Sequence, residues 1–208
     1  MATIPLTPTN GAGLCLSQSA LKPGDIIVST TNALPSGVIR SMTRSSVSHA
    51  SLYAGGGTVI EAIAESGVVE RSLAKAVHAS RLAVVYRYPK LGDGRAAAVV
   101  ATARKYARQG AEYDFGGAAG GGVRSNSQVC LVLMPVPAIG TLLSLGCAAL
   151  GTGIANTSSK FYCSELILKA FSDAGVALTR VKPGVSTPED LVTAYVRGTL
   201  QYMGHLKS

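Results

Sequence analysis

Short apolar runs bounded by glycine, proline and polar residues dominate the N-terminal half of the chain, and they predict β-strands. The run Gly55-Gly56-Gly57 separates two of these strands and predicts a β-hairpin. The strand candidates are residues 26–29 after the turn LKPGD, 47–54, 58–64, and 82–88 before Pro89.

Two later stretches repeat apolar residues at the spacing of an amphipathic helix. The first spans residues 95–109 and precedes Gly110, and the second spans residues 162–174 and precedes Gly175. Because glycine commonly follows the last turn of a helix, both boundaries fit the pattern. Strands followed by helices predict an α+β domain.

Residues 128–159 contain no charged side chain. Pro135 and Pro137 interrupt their apolar run and leave a helix-capable piece from 138 to 150, shorter than the ~20 residues that span a bilayer. We therefore expect an apolar insertion that forms one wall of a cleft, so that membrane contact is possible but a spanning segment is not expected. Residues 1–20 are expected to be an irregular lead-in, and residues 21–208 a single domain that carries the insertion.

The chain has 208 residues and a formal net charge of +8 at pH 7, which favours acidic partners. Its basic residues stand singly, and only 5% of its residues are aromatic, too few for a platform on which bases stack. Nucleic acid is therefore not an expected partner. The first residues lack the basic start and continuous apolar core of a secretory signal, so we expect synthesis in the cytoplasm without a signal peptide.

The four cysteines, at positions 15, 130, 147 and 163, show neither CxxC nor CxxH spacing, which disfavours a structural zinc site. Cys147 lies inside an apolar run and Cys130 beside another, where buried free thiols are common. Cys163 differs because it opens an amphipathic helix after a polar stretch. The helix dipole and unpaired backbone N–H groups favour a thiolate there, as a nucleophile requires. The alternative is a small buried hydrophobe at a helix start.

His49 can supply the base that activates such a nucleophile. Alternation along a strand places it on one face with Val47, Ser51 and Tyr53, a mixed surface that suits the lining of a cleft. The alternative is a histidine with a structural hydrogen bond.

Glu61 completes a candidate triad if residues 55–57 form a three-residue loop. It then lies diagonally across the strand pair from His49 on the same face, about 7–8 Å away between backbones. A carboxylate in that position would orient the imidazole and stabilise its protonated form. Glu65 is a weaker substitute, and Asp114 becomes the better third member if the register is different.

These motifs together resemble the circularly permuted branch of the NlpC-type, papain-fold hydrolases, which includes YiiX-like proteins and relatives of lecithin:retinol acyltransferase. The resemblance implies a permuted papain-like fold in which an antiparallel sheet packs against helices and the catalytic cysteine begins a late helix. It covers roughly residues 21–192 and rests on LKPGDIIVS, VSHASLYAGGGTVIEAIAESGVVERSL, AEYDF, and FYCSELILKAF followed by GVSTPEDL.

The resemblance implies, when the family's catalytic roles are transferred by position, that Cys163 is the nucleophile, His49 the general base and acid, and Glu61 the orienting residue. The implied chemistry is acyl transfer through a thioester, and it requires no metal or organic cofactor. The residues expected to position substrate are Tyr53, on the face of His49, and Tyr113 and Asp114, which match the family's Tyr-Asp motif near the cleft.

The resemblance implies a cysteine hydrolase that cleaves an amide bond. We expect peptidoglycan stem peptides as its substrate, since NlpC-type enzymes typically cleave between D-glutamate and the diamino acid, and a basic protein suits that anionic polymer. Without a signal peptide it would reach the periplasm or envelope by specialised secretion, as an antibacterial type VI effector with an immunity or carrier protein as partner. The alternatives are a lipid-directed thioesterase or acyltransferase and a non-catalytic binding module.

Overall fold

The computed structural model describes residues 6–7, 14–31, 47–78, 80–113 and 160–207. Two short 3-10 turns lie at Gln18–Ala20 and Pro183–Val185. The strands and helices in chain order are β1 (Ile26–Thr31), β2 (His49–Gly55), β3 (Thr58–Ile63), β4 (Gly67–Ser72), α1 (Leu73–His78), β5 (Ser80–Arg87), α2 (Asp93–Arg108), β6 (Glu112–Tyr113), β7 (Lys160–Phe161), α3 (Cys163–Asp173), α4 (Pro188–Val196) and β8 (Gln201–Lys207).

Six of the strands form one sheet in the order β4-β3-β2-β1-β5-β8. Every neighbouring pair in it is antiparallel, whereas β6 and β7 form a separate parallel pair. The predicted α+β class, with an antiparallel sheet and helices, is confirmed. The predicted apolar insertion at 128–159 lies outside the described residues.

Glycines make the tight turn between β2 and β3. Gly56 and Gly57 have φ values of 59° and 76°, in the left-handed region that most side chains avoid. The strands themselves end at Gly55 and resume at Thr58, so the connection is a two-residue turn rather than the predicted three-residue loop. A bulge compensates, because the register shifts between Tyr53 and Gly55.

The bulge gives the strand pair the register that a three-residue loop would give. Tyr53 pairs with Val59, and side chains alternate along each strand. Glu61 and His49 therefore lie on the Tyr53 face of the sheet, which confirms the predicted relation between them.

Each face of the sheet carries an apolar cluster. The larger one lies between the sheet and the helices α2, α3 and α4, where Leu52, Val99 and Leu166 are fully buried. The smaller cluster lies on the other face and contains Val59 of β3 and Leu73 of α1. Burial of each such side chain stabilises the fold by about 1.5–3 kcal/mol.

Helix α3 matches the amphipathic pattern predicted for residues 162–174. Its apolar face, from Leu166 to Phe171, packs into the larger cluster. Gly175 has a φ of 75° and ends the helix, while the Val176 N–H donates to the Phe171 carbonyl at 2.9 Å. The helix is therefore fixed at its C-terminal end, so its first residue has a defined position against the sheet.

Six elements were not predicted from the sequence, namely β4, α1, β6, β7, α4 and β8. Of these, β4 lacks alternation because two valines precede two charged residues, α1 and α4 are short, and Gly204 interrupts the apolar pattern of β8. A Cβ at Gly204 would lie 2.7 Å from the Leu14 carbonyl oxygen, so the lead-in can approach β8 only at a glycine. Leu14 and Leu16 exchange backbone hydrogen bonds with His205 there. In the described part of the chain, no helix is long and apolar enough to cross a bilayer.

Candidate active site

Cys163 is the first residue of α3 and is 3% exposed. The preceding residue, Tyr162, has extended backbone geometry and makes no side-chain cap, so the helix begins abruptly at the thiol. The N–H of a first helical residue has no partner within the helix. The positive end of the helix dipole and a backbone donor therefore both lie at Cys163.

His49 opens β2, and its side chain lies between Cys163 and Glu61. The imidazole Nε2 is 2.5 Å from Glu61 Oε2, and Cys163 is close enough to the ring to raise the pKa of His49. Because Nε2 contacts Glu61, Nδ1 is the imidazole nitrogen that remains available to Cys163. The His49 side chain is 19% exposed, so one edge of the site is open to solvent.

Glu61 is fully buried on β3, and each of its carboxylate oxygens has a cationic neighbour. Oε2 contacts His49, and Oε1 accepts a hydrogen bond from Nε of Arg71 on β4. The register Glu61 to Val69 puts Arg71 diagonally across β3 and β4 on the same face. Arg71 is 26% exposed and thus reaches from the surface to a buried carboxylate.

The charged side chains of the site alternate in sign, because the negative Glu61 lies between the positive His49 and Arg71. Burial lowers the pKa of His49, but hydrogen bonds and charges from Cys163 and Glu61 outweigh burial and raise that pKa to about 10. Burial raises the pKa of Glu61, but His49 and Arg71 outweigh it and hold the pKa below its usual value. At neutral pH the imidazole is therefore protonated and the carboxylate ionised.

A buried hydroxyl cluster holds the start of α3 on both sides of Cys163. The Tyr162 hydroxyl donates to the Pro183 carbonyl at 3.0 Å and lies 3.5 Å from Ser186 Oγ. Ser186 Oγ in turn donates to Ser164 Oγ at 3.3 Å. The segment around residues 183–186 thus contacts the residue before and the residue after the thiol.

The motif GVSTPEDL explains why that segment is rigid. Thr187 caps α4 through a capping box with Asp190, and Pro188 occupies the first turn of the helix. The cap fixes the chain direction immediately after Ser186, which is fully buried. The sequence motif therefore supports the position of Cys163 without contacting it.

The other predicted site residues have different surroundings or are not described. Tyr53 packs in the smaller apolar cluster, and its hydroxyl accepts the Gly57 N–H at 3.1 Å at the far end of β2. Tyr113 pairs with Phe161, two residues before Cys163, and is half-buried. Glu65 is exposed in the turn after β3, and Asp114 lies outside the described residues. The substrate-positioning roles of Tyr53, Tyr113 and Asp114 remain predictions.

We did not predict Arg71 or the hydroxyl cluster of Tyr162, Ser164 and Ser186 from the sequence. The turn residues Ser66 and Gly67 followed by Val68 and Val69 are a hairpin signal, and a second hairpin after β3 would have placed Arg71 near Glu61. No comparable signal links Ser186 to the start of α3, because the contact depends on tertiary packing.

Comparison with known proteins identifies the family of the chain. The C92 family model, described as permuted papain-like amidase enzyme, YaeF/YiiX, matches residues 20–134. The chain is also 33% identical over 201 residues to the probable lipoprotein peptidase YaeF of Escherichia coli (strain K12), and the match covers 90% of this chain and 71% of YaeF. The chain therefore belongs to the C92 family of permuted papain-like amidases and is a cysteine peptidase or amidase-type enzyme.

A solved structure supports the fold independently. The crystal structure of yiiX, a metalloprotein from Escherichia coli O157:H7, matches with a TM-score of 0.61 over 90% of this chain and 98% of that chain, at 17% sequence identity. The permuted papain-like fold predicted from the sequence motifs is thus confirmed. Across the ranges that the structure describes, no group of three or more His, Cys, Asp or Glu side chains could hold a metal ion.

Proposed function

We propose that this protein hydrolyses an amide bond in peptidoglycan stem peptides, with Cys163 as nucleophile, His49 as general base and acid, and Glu61 as orienting residue. The single observation that carries the proposal is the row of side chains from Cys163 through His49 to the buried Glu61, in which His49 Nε2 lies 2.5 Å from Glu61 Oε2 and Cys163 adjoins the imidazole. A nucleophile and base within hydrogen-bonding reach, with the base oriented by a third group, is the arrangement that covalent hydrolysis needs.

In the proposed mechanism, His49 already holds the proton that Cys163 has given up, and the Cys163 thiolate attacks the amide carbonyl carbon. The backbone N–H of Cys163 donates to the oxyanion of the tetrahedral intermediate. His49 then protonates the leaving amine, which departs and leaves a thioester on Cys163. Water, deprotonated by His49, attacks the thioester carbonyl, so that the carboxylic acid product leaves and the Cys163 thiolate and protonated His49 are regenerated.

Two observations support a cell-wall substrate. The family is one of amidases, and a chain with a net charge of +8 is attracted to an anionic polymer. The relative YaeF is named a probable lipoprotein peptidase, which supports a location in the envelope for this chain. Delivery as an antibacterial effector of a type VI system, with an immunity or carrier protein as partner, belongs to the same proposal.

The test compares substrate classes in parallel. Wild type, Cys163→Ala and Cys15→Ala proteins are incubated with defined muropeptides, with phospholipids and with acyl thioesters, and the products are identified by mass spectrometry. Cys15 is a free, exposed cysteine and gives a matched control for loss of a thiol.

We expect new amine and carboxylate termini from muropeptides with the wild type and Cys15→Ala proteins, and none with Cys163→Ala. Products from lipids or thioesters alone would replace the cell-wall proposal with a lipid-directed activity. Muropeptide cleavage by Cys163→Ala protein would overturn the proposed nucleophile.

A further inference from the structure

Arg71 touches neither Cys163 nor His49 but contacts the carboxylate that touches His49. Glu61 is fully buried, and a buried carboxylate is stable in its ionised form only when it is paired with cations or hydrogen-bond donors. Its two oxygens face two different cations. The two cations differ chemically, because the His49 imidazolium can lose its proton and the Arg71 guanidinium cannot.

His49 changes charge during the proposed reaction. When it donates its proton to the leaving amine it becomes neutral, and Glu61 loses the positive charge on that side. The guanidinium of Arg71 stays protonated throughout, since arginine is not deprotonated in proteins. If His49 were the sole cation, Glu61 would be a buried carboxylate without a cation at that moment, and it would favour taking up a proton.

We propose that Arg71 is a fourth, positioning member of the active site that keeps Glu61 ionised and oriented while His49 gives up and regains its proton. The inference rests on the proposed function of the Cys163–His49–Glu61 row. Arg71 acts only through Glu61, which fixes the tautomer and orientation of the imidazole. The four side chains come from α3, β2, β3 and β4, so the contact between Arg71 and Glu61 connects the site to the outer strand of the sheet.

The structure offers a matched control pair. Glu70 and Arg104 form a second carboxylate–guanidinium contact at 2.9 Å, made between β4 and α2 and closer to the surface. Arg71→Met, Arg71→Lys and Arg104→Met proteins can be compared with Glu61→Gln and with the Arg71→Met/Glu61→Gln double variant. Circular dichroism and thermal unfolding establish that each variant is folded, and Arg71→Lys retains a cation if Arg71→Met does not fold.

Two readouts separate positioning from a purely structural role. The first is the kcat and KM for muropeptide cleavage. The second needs no turnover and follows the titration of the Glu61 carboxyl by carbon-13 NMR, with its resonance assigned by its absence in Glu61→Gln. If the wild type itself releases no product, the proposed function fails, and the NMR titration still decides whether Arg71 holds Glu61 ionised.

We expect Arg71→Met to lower kcat by about 10- to 100-fold with little change in KM, as a small misplacement of a catalytic group does. Arg71→Lys should recover part of the loss, and Arg104→Met should behave as wild type. The double variant should be no slower than Glu61→Gln alone, and the Glu61 titration should move to higher pH in Arg71→Met. Multiplicative losses in the double variant, or an unchanged Glu61 titration, would overturn the proposal.

Discussion

Replacement of Glu61 by glutamine tests the electrostatic basis of the site without any knowledge of the substrate. Glutamine keeps the shape of the side chain but removes the charge that lies 2.5 Å from His49 Nε2. An opposite charge at such a distance shifts a pKa by about 1–3 units, and each unit corresponds to about 1.4 kcal/mol. Arg71 would remain and repel the imidazolium, which acts in the same direction.

The expected result is a fall in the pKa of His49 from about 10 to between about 7 and 9. The protein has three histidines, so proton NMR of carbon-13-labelled histidine can follow each titration separately. Glu70→Gln is the control, since Glu70 is also a carboxylate paired with an arginine but contacts Arg104 rather than a histidine. An unchanged His49 titration in Glu61→Gln, or an equal shift in Glu70→Gln, would refute the reasoning.

Three further outcomes are expected. Iodoacetamide should modify Cys163 faster than Cys15, although Cys15 is exposed and Cys163 is buried, because a protonated imidazole adjoins Cys163. Faster reaction at Cys15 in a peptide map would argue against an activated thiolate. Tyr162→Phe should lower the free energy of unfolding by about 1–3 kcal/mol in urea denaturation and reduce activity, and Ser186→Ala should change both quantities in the same direction. Unaltered values would show that the hydroxyl cluster does not hold the start of α3. The pKa of His49 in the folded protein, about 10, lies above its ordinary value of 6.5, so the contribution of His49 to stability is complete below about pH 6.5 and is lost as the pH rises to about 10. A His49→Gln protein should lack this pH dependence, and identical pH–stability curves for the two proteins would contradict the raised pKa.

Local pattern was enough to predict the elements that carry Cys163, His49 and Glu61. Glycine runs and alternation predicted the hairpin that carries His49 and Glu61, and helical spacing before Gly175 predicted the helix that begins at Cys163. The loop length was wrong by one residue, but the bulge before Gly55 restored the register. The prediction therefore placed the two residues on the correct face.

Contacts that depend on tertiary packing could not be predicted in the same way. Tyr53 lies on the same face of β2 as His49, but that face extends over many ångströms. The Tyr53 hydroxyl accepts a hydrogen bond from Gly57 at the other end of the strand. Ser186 reaches Ser164 only because α4 and the preceding segment pack against α3. Sequence alternation specifies a face, whereas the position along that face and the contacts between distant segments require the folded structure.

The most direct test of the central claim is to look for the acyl-enzyme during turnover. A muropeptide substrate is mixed with wild type protein, the reaction is quenched with acid in the pre-steady state, and the protein is mapped by mass spectrometry. The account predicts a mass increase equal to the acyl portion of the substrate on the peptide that contains Cys163, and no product with Cys163→Ala. Product release by Cys163→Ala at the wild type rate would contradict it.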